Sequence, residues 1–125
     1  MKATSLPPAP LEEDALLVKK YLLYVIMRDV LERDMRSMMT LTLKMQTVYV
    51  KGLTEIQDQV MNHIPTLRLH MKARGIRINQ ESRTDSGVEI LYLCRGYHRR
   101  LSMPWSYIRS AATLELNRYL EITPS

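Results

Sequence analysis

The stretch GIRINQESRTDSGVEILYLC, residues 75–94, is where the hydrophobic pattern of the chain changes from helical to alternating. Apolar residues occupy alternate positions on both sides of the short polar segment Asp85–Gly87. Two alternating runs joined in this way predict a β-hairpin, in which Gly87 closes a three-residue loop. The other long segments have helical spacing, so this hairpin makes the predicted fold α+β.

The register of the hairpin follows from pairing Thr84 with Val88 at the base of the loop, which places Arg83 opposite Glu89. The alternation is predicted to end at Gly96. One face of the hairpin then carries six residues that form the predicted core face: Ile76, Ile78, Val88, Ile90, Tyr92 and Cys94.

Two long helical patterns precede the hairpin, over residues 11–39 and 41–64. The segment Ser37–Thr42 is predicted to be a turn between them. Because the two apolar stripes are nearly in phase, a single helix of about fifty residues is the alternative, and it would require a partner chain. Acids at the start of the first helix, including Asp14, are interpreted as solvent-facing charges. Gly52 is expected to allow a close helix crossing.

The remaining boundaries come from proline, glycine and serine. Pro65 is predicted to end the second helix and to begin a short third one, Thr66–Arg74, which Gly75 closes. Ser102 is predicted to cap a last helix with Pro104 in its first turn. The predicted fold is therefore mostly helical α+β, with two long N-terminal helices, a short helix, a two-stranded antiparallel hairpin and a C-terminal helix.

This order of elements resembles, at the level of the fold, the layout of winged-helix DNA-binding proteins. The resemblance implies that Thr66–Arg74 stands near the position of the recognition helix and that residues 76–93 form the wing. It would make the protein a DNA-binding module.

Length and composition predict one domain over residues 11–121, with a flexible tail at 1–10 and a flexible C-terminus at 122–125. The longest apolar run, Tyr21–Met27, is far shorter than the roughly 20 residues that a bilayer span needs, so we expect no membrane association. One cysteine permits no internal disulfide, which suits a cytoplasmic protein.

Patterns typical of catalysis are missing from the sequence. Cys94 and His98 would lie about 13 Å apart along a strand, too far for a nucleophile and its base. A zinc site would need both of them to converge with His63 and His70, without any closely spaced ligand pair. The glycines form no phosphate-binding loop. We therefore expect no enzymatic activity, no cofactor, no metal site and no small-molecule substrate.

The charge is concentrated in the second half of the chain. Residues 1–65 carry eight basic and eight acidic side chains, whereas residues 66–125 carry ten and five. This asymmetry is typical of proteins that contact an anionic partner, although it also serves solubility. The first hypothesis is a regulatory or accessory module whose basic patch binds a nucleic acid or an acidic protein surface, with these candidate residues: Lys72, Arg74, Arg77, Arg95, Arg99 and Arg100.

Methionine is unusually frequent, with nine residues, while phenylalanine is absent. Methionines on a helical stripe are core residues by default, yet such a stripe can also form an adaptable surface that docks another helix. The second hypothesis is a protein–protein interaction module, forming a homodimer or holding a partner helix through these candidate residues: Leu31, Met35, Met38, Met45 and Val48.

Overall fold

The computed structural model describes residues 12–121, which form three helices and a three-stranded sheet. The elements are α1 (Glu12–Met39), α2 (Gln46–Ala73), β1 (Ile76–Arg83), β2 (Gly87–Cys94), β3 (Tyr97–Pro104) and α3 (Trp105–Leu120). The sheet is antiparallel in the order β1-β2-β3. The two segments predicted to be flexible, residues 1–10 and 122–125, lie outside the described residues.

The sheet corrects the predicted two-stranded hairpin. β2 pairs with β3 along its whole length, from Gly87 opposite Pro104 to Cys94 opposite Tyr97. The two strands are joined by Arg95 and Gly96, whose φ angles of 51° and 88° are those of a tight two-residue hairpin turn. The prediction was wrong because this glycine was interpreted as the end of the alternation instead of a turn within it.

β3 was overlooked because its alternation is partly basic. Leu101 and Met103 lie opposite core residues of β2, and the polar residues that alternate with them, Arg100 and Ser102, lie on the other face of the sheet. Ser102 is therefore a strand residue and not a helix cap. α3 begins later than predicted, at Trp105, with Pro104 at its N-cap position.

The predicted register of the first hairpin was wrong by one residue at the loop. Arg83 lies opposite Val88, and Ser82 lies opposite Glu89. The register shifts again between Ile78 and Gln80, where β1 has an irregularity. Because this shift leaves the apolar residues of β1 on the inner side, the predicted core face is confirmed: Ile76, Val88, Ile90, Tyr92 and Cys94 are buried and Ile78 is partly buried.

α2 corrects the predicted short third helix, because the chain remains helical through Pro65 to Ala73. A proline removes one backbone donor from a helix, and here the proline is exposed, where water can reach the backbone. Residues at three- and four-residue spacing are buried on both sides of it, including Val60, Ile64 and Leu67. Burial of this continuous row outweighs the local effect of proline. The winged-helix layout required a separate helix at residues 66–74, so that resemblance fails.

α1 and α2 are two helices and not one. α1 ends at Met39, and the Gln46 side chain at the start of α2 donates hydrogen bonds to the carbonyls of Met38 (2.6 Å) and Leu41 (2.8 Å). The Met38 carbonyl, in the last turn of α1, also accepts from the backbone N–H of Leu41 at 3.2 Å, so the connection closes on the helix end. The turn lies a few residues later than predicted.

The core lies where α1 meets the other elements. The central part of α1, Leu22–Met27, is buried on all sides, as its apolar sequence predicted. The last buried residue of α1 is Met35 and the first of α2 is Ile56, so the core thins toward the connection between these helices. None of the helices within residues 12–121 is long and apolar enough to cross a membrane.

Candidate functional site

α2 and its N-cap residue carry a second apolar row that the other residues within 12–121 leave exposed. Met45, Val48, Tyr49 and Gly52 recur at three- and four-residue spacing, about a quarter of a helical turn from the row that faces α1. The three side chains are 52%, 56% and 48% exposed, respectively. We call these four residues the open face of α2. Together they form a contiguous apolar surface of the kind that marks protein interaction sites.

A groove of about 560 Å³ runs beside the open face. Its floor includes Gly52, Leu53 and Ile56, and one wall is the end of α3 at Tyr119 and Leu120. The lining of the groove is therefore largely apolar.

The end of α3 is held beside this groove by a hydrogen-bonded cluster with α1. The hydroxyl of Tyr24 donates to Glu115 Oε2 (2.9 Å) and lies 3.2 Å from the hydroxyl of Tyr119. Burial raises the pKa of the Tyr24 phenol well above its ordinary value, and its hydrogen bonds with Tyr119 and Glu115 raise it further. His63 packs edge-on against the Tyr24 ring, with centroids 5.4 Å apart. The cluster fixes one wall of the groove.

Gly52 has no packing role within the described chain. A β-carbon added there would have nothing within 4 Å among residues 12–121. A glycine inside a helix costs about 1 kcal/mol relative to alanine. The close helix crossing that the sequence predicted at this glycine is therefore not made by α1 or by α3.

Charged residues lie along one edge of the open face. Lys44 and Lys51 precede Gly52, while Glu55 and Asp58 follow it, and all four are exposed. Among the salt bridges of residues 12–121, none involves any of these four side chains. The edge is thus basic on one side of the glycine and acidic on the other.

The residues predicted as an interface are divided between the core and the surface. Leu31 and Met35 are buried between the helices, and Met38 is partly buried at the edge of the groove. Met45 and Val48 belong to the open face. The predicted stripe is therefore not a single surface. Its first part is buried against the core, and its second part is exposed because it lies on a side of α2 that does not face α1.

Two of the six predicted basic residues are engaged by one buried carboxylate. Arg74 donates to Asp14 Oδ1 at 2.5 Å and to Glu13 Oε1 at 2.8 Å. Arg95 donates to Asp14 Oδ2, and its backbone N–H donates to the Gly75 carbonyl at 2.8 Å. The carboxylate thus ties the start of α1 to the α2–β1 connection and to the β2–β3 turn.

Asp14 is a structural residue that sequence reasoning missed, since it was interpreted as a solvent-facing charge. Burial alone would raise the pKa of its carboxyl, but hydrogen bonds from Arg74, Arg95 and Cys94, with the charge of Arg74, lower that pKa below its ordinary value. The spacing of Asp14 could have indicated its burial. It lies four residues before Val18 and eight before Leu22, and both of these are core residues on the same side of α1.

Cys94 lies on the core side of β2, where its thiol donates to Asp14 Oδ2 at 3.5 Å. Burial raises the pKa of this thiol, as do the hydrogen bond to Asp14 and the charge of that carboxylate. His98 pairs with Leu93 and so lies on the other face of the sheet. Within residues 12–121, His, Cys, Asp and Glu side chains form no group of three that could hold a metal ion.

The other four candidate residues of the predicted basic patch do not lie together. Arg77 and His98 flank Leu93 on the outer face of the sheet, and Arg100 lies beside Leu91 on the same face. Arg99 lies on the inner side of β3, 5.9 Å from the centroid of the Tyr97 ring.

Lys72 is exposed near the end of α2. The outer face of the sheet therefore keeps only two of the six candidates, Arg77 and Arg100, together with His98.

Comparison with known proteins gives one match. A family model described as YhjD protein matches residues 9–124. Neither the curated proteins nor the solved structures contain a match to this chain. Because the family model covers nearly the whole chain, the chain belongs to the YhjD protein family.

Proposed function

We propose that this protein is a non-enzymatic interaction module that docks a helix of another protein chain against the open face of α2. The observation that carries the proposal is the exposure of Met45, Val48 and Tyr49 beside an apolar groove. Leaving such side chains in water is unfavourable by roughly 25 cal/mol for each Å² of apolar surface. A bound helix would remove this surface from water.

The surroundings of the open face also favour a helix as the bound element. The face is one helix side wide, and the wall formed by Tyr119 and Leu120 limits what can lie beside it. Apolar grooves between helices typically accept an amphipathic helix through residues at three- and four-residue spacing. Methionines at the rim, Met38 and Met45, can adapt to different partner side chains.

The proposal includes the absence of enzymatic activity and a cytoplasmic location. The one cysteine of the sequence, Cys94, is a buried thiol with a raised pKa, which makes it a poor nucleophile. A free thiol of this kind is typical of a reducing compartment.

Site-specific photo-crosslinking tests the docking surface. A photoreactive residue is placed at position 48 in the full chain, and the matched control carries it at position 69, where Leu69 is also exposed on the same helix. In cells that produce the full chain, we expect crosslinks to a protein from position 48 and not from position 69. Equal crosslinking from both positions, or none from position 48, would contradict the proposal.

A second candidate function is supported by the outer face of the sheet. Arg77, His98 and Arg100 lie there around the partly exposed Leu91 and Leu93, which suits an anionic partner such as a nucleic acid. The planar guanidinium groups can each donate two hydrogen bonds to a phosphate.

Fluorescence anisotropy with labelled DNA and RNA tests this second function. The double variant Arg77→Ala/Arg100→Ala should weaken binding across sequences and reduce the salt slope by about one unit for each phosphate-binding arginine that is removed. The control is Arg33→Ala/Arg109→Ala, which removes the same charge from exposed positions elsewhere. Equally weakened binding in both variants would indicate net charge alone, and no binding at low salt would exclude the function.

A further inference from the structure

We infer that the element docked on the open face is α2 of a second copy of this chain, antiparallel and crossing at Gly52. This inference rests on the proposed docking function and names its partner. Three independent features of α2 support it: the glycine, the distribution of charge and the shape of the groove.

Gly52 is explained by such a crossing. Two helices pack with their axes 8–10 Å apart, and the separation depends on the side chains at the contact. No residue within 12–121 uses the open space around this glycine. A two-fold axis through Gly52 brings the same glycine of both copies together, so neither copy contributes a side chain at the point of closest approach.

The charged edge selects the antiparallel orientation. Rotation about Gly52 places Lys51 of one copy beside Glu55 of the other, and Lys44 near Asp58, on the same side of the helix pair. A parallel arrangement would instead place the two charged edges on opposite sides of the helix pair, where they could not meet. The salt bridges within residues 12–121 leave these four side chains out, and a second copy supplies the opposite charges that this part of the chain does not.

The same rotation fills the groove. It places Val48 of one copy opposite Ile56 of the other, and Met45 opposite Gln59. Ile56 and Gln59 both line the groove. The wall formed by Tyr119 and Leu120 then flanks the second copy's helix. Each copy therefore offers both a ridge and the groove that receives it, as an interface with two-fold symmetry requires.

The dimer should be in exchange with the monomer. Stable specific interfaces bury roughly 1,200–2,000 Å² in total. The area that one helical face and one groove wall of each copy can bury is expected at the lower end of that range. The dimer should therefore dissociate on dilution.

Light scattering and sedimentation of the full chain over a wide concentration range test the pairing. We expect a dimer at high concentration. Val48→Glu should raise the dissociation constant at least about tenfold, because it puts a charge into an apolar interface. Leu69→Glu, at another exposed apolar position of the same helix, should leave the dissociation constant unchanged.

Charge exchange tests the orientation. Lys51→Glu alone and Glu55→Lys alone should each weaken the dimer about fivefold or more, because each puts like charges across the axis. The double variant Lys51→Glu/Glu55→Lys should return the dissociation constant to within about twofold of the unmodified value. Lys72→Glu is the control for a charge change on α2 away from the face. A dimer without this rescue would overturn the antiparallel pairing.

The outcomes separate this inference from the docking function. A chain that stays monomeric at every concentration overturns self-pairing, while crosslinks from position 48 to a different protein would still support docking. A monomer that dimerises only after removal of residues 122–125 would assign the groove to the chain's own C-terminus and overturn the inference for the full chain. A dimer unaffected by Val48→Glu would place the contact elsewhere and overturn the inference as well.

Discussion

Arg95 donates a hydrogen bond to the buried carboxylate of Asp14, which lies 81 positions earlier in the chain. The Arg95 guanidinium also donates to the Arg74 carbonyl at 3.1 Å, and Arg74 donates to the same carboxylate. One acid of α1 therefore joins two connections that are far apart in sequence. This relationship removes two arginines from the predicted anion-binding patch and gives them a structural role.

Asp14→Asn should lower the free energy of unfolding by roughly 2 kcal/mol. Removing one partner of a fully buried ion pair costs about 3–5 kcal/mol, and the loss here is smaller because Arg74 and Arg95 both reach solvent. Urea denaturation measures it.

The control is Glu13→Gln, which removes an exposed partner of Arg74 and should change stability by less than about 0.5 kcal/mol. If the two variants are equally stable, the buried carboxylate is not a structural tie.

Acid should destabilise the protein partly through Asp14. The carboxyl has a lower pKa in the folded protein than its ordinary value of 3.8, so the unfolded chain binds the proton more readily. The stabilisation is fully present above pH 3.8 and is lost as the pH falls through the lower pKa of the folded state. Urea midpoints measured over this range should fall less steeply for Asp14→Asn than for the unmodified chain. Parallel curves for the two proteins would exclude the contribution.

The thiol of Cys94 should react slowly in the folded protein. It is buried, and its pKa is raised, so little thiolate is present or accessible near neutral pH. A colorimetric disulfide reagent should modify it much faster in urea than in native buffer. Equal rates under the two conditions would mean that the thiol is exposed.

Gly87→Ala should destabilise the sheet strongly. An added β-carbon would lie 2.1 Å from the Met103 carbonyl oxygen, so β3 or the β1–β2 loop must move. We expect a decrease of at least about 2 kcal/mol in the free energy of unfolding. Thermal and urea unfolding at low protein concentration measure it.

Gly52→Ala is the matched control, since an added β-carbon meets only open space there. In the monomer it should stabilise α2 by up to about 1 kcal/mol. A similar decrease in both variants would mean that the cause is not the contact with β3.

Much of the fold could be predicted from apolar periodicity. The wrong predictions occur where a local signal competed with that pattern. Proline was interpreted as the end of a helix and glycine as the end of a strand pattern, which are the effects that these residues have in isolated segments. At Pro65 the buried row of α2 continues across the proline, and at Gly96 a tight turn continues the sheet into β3. In each place, burial of a continuous apolar surface outweighed the local preference.

The site was less predictable for a different reason. Periodicity identified the stripe that contains Met35 and Val48, but it could not separate the buried part from the exposed part, because that depends on how α2 is rotated against α1. The basic residues were grouped by proximity in sequence. Their strand register determines which face they occupy, and Asp14 engages two of them from a distant helix.

The burial of Leu22–Met27 on all sides has a consequence for how the chain is made. The elements that cover this segment follow it in sequence, and α3, which supplies Ile108 to the core, comes last. The helix pair and the sheet connect neighbours in the chain, so each can form while synthesis continues. The apolar centre of α1 nevertheless stays partly uncovered until α3 has left the ribosome. A chain interrupted before Trp105 would therefore expose it, and such a truncated product is expected to aggregate or to be degraded.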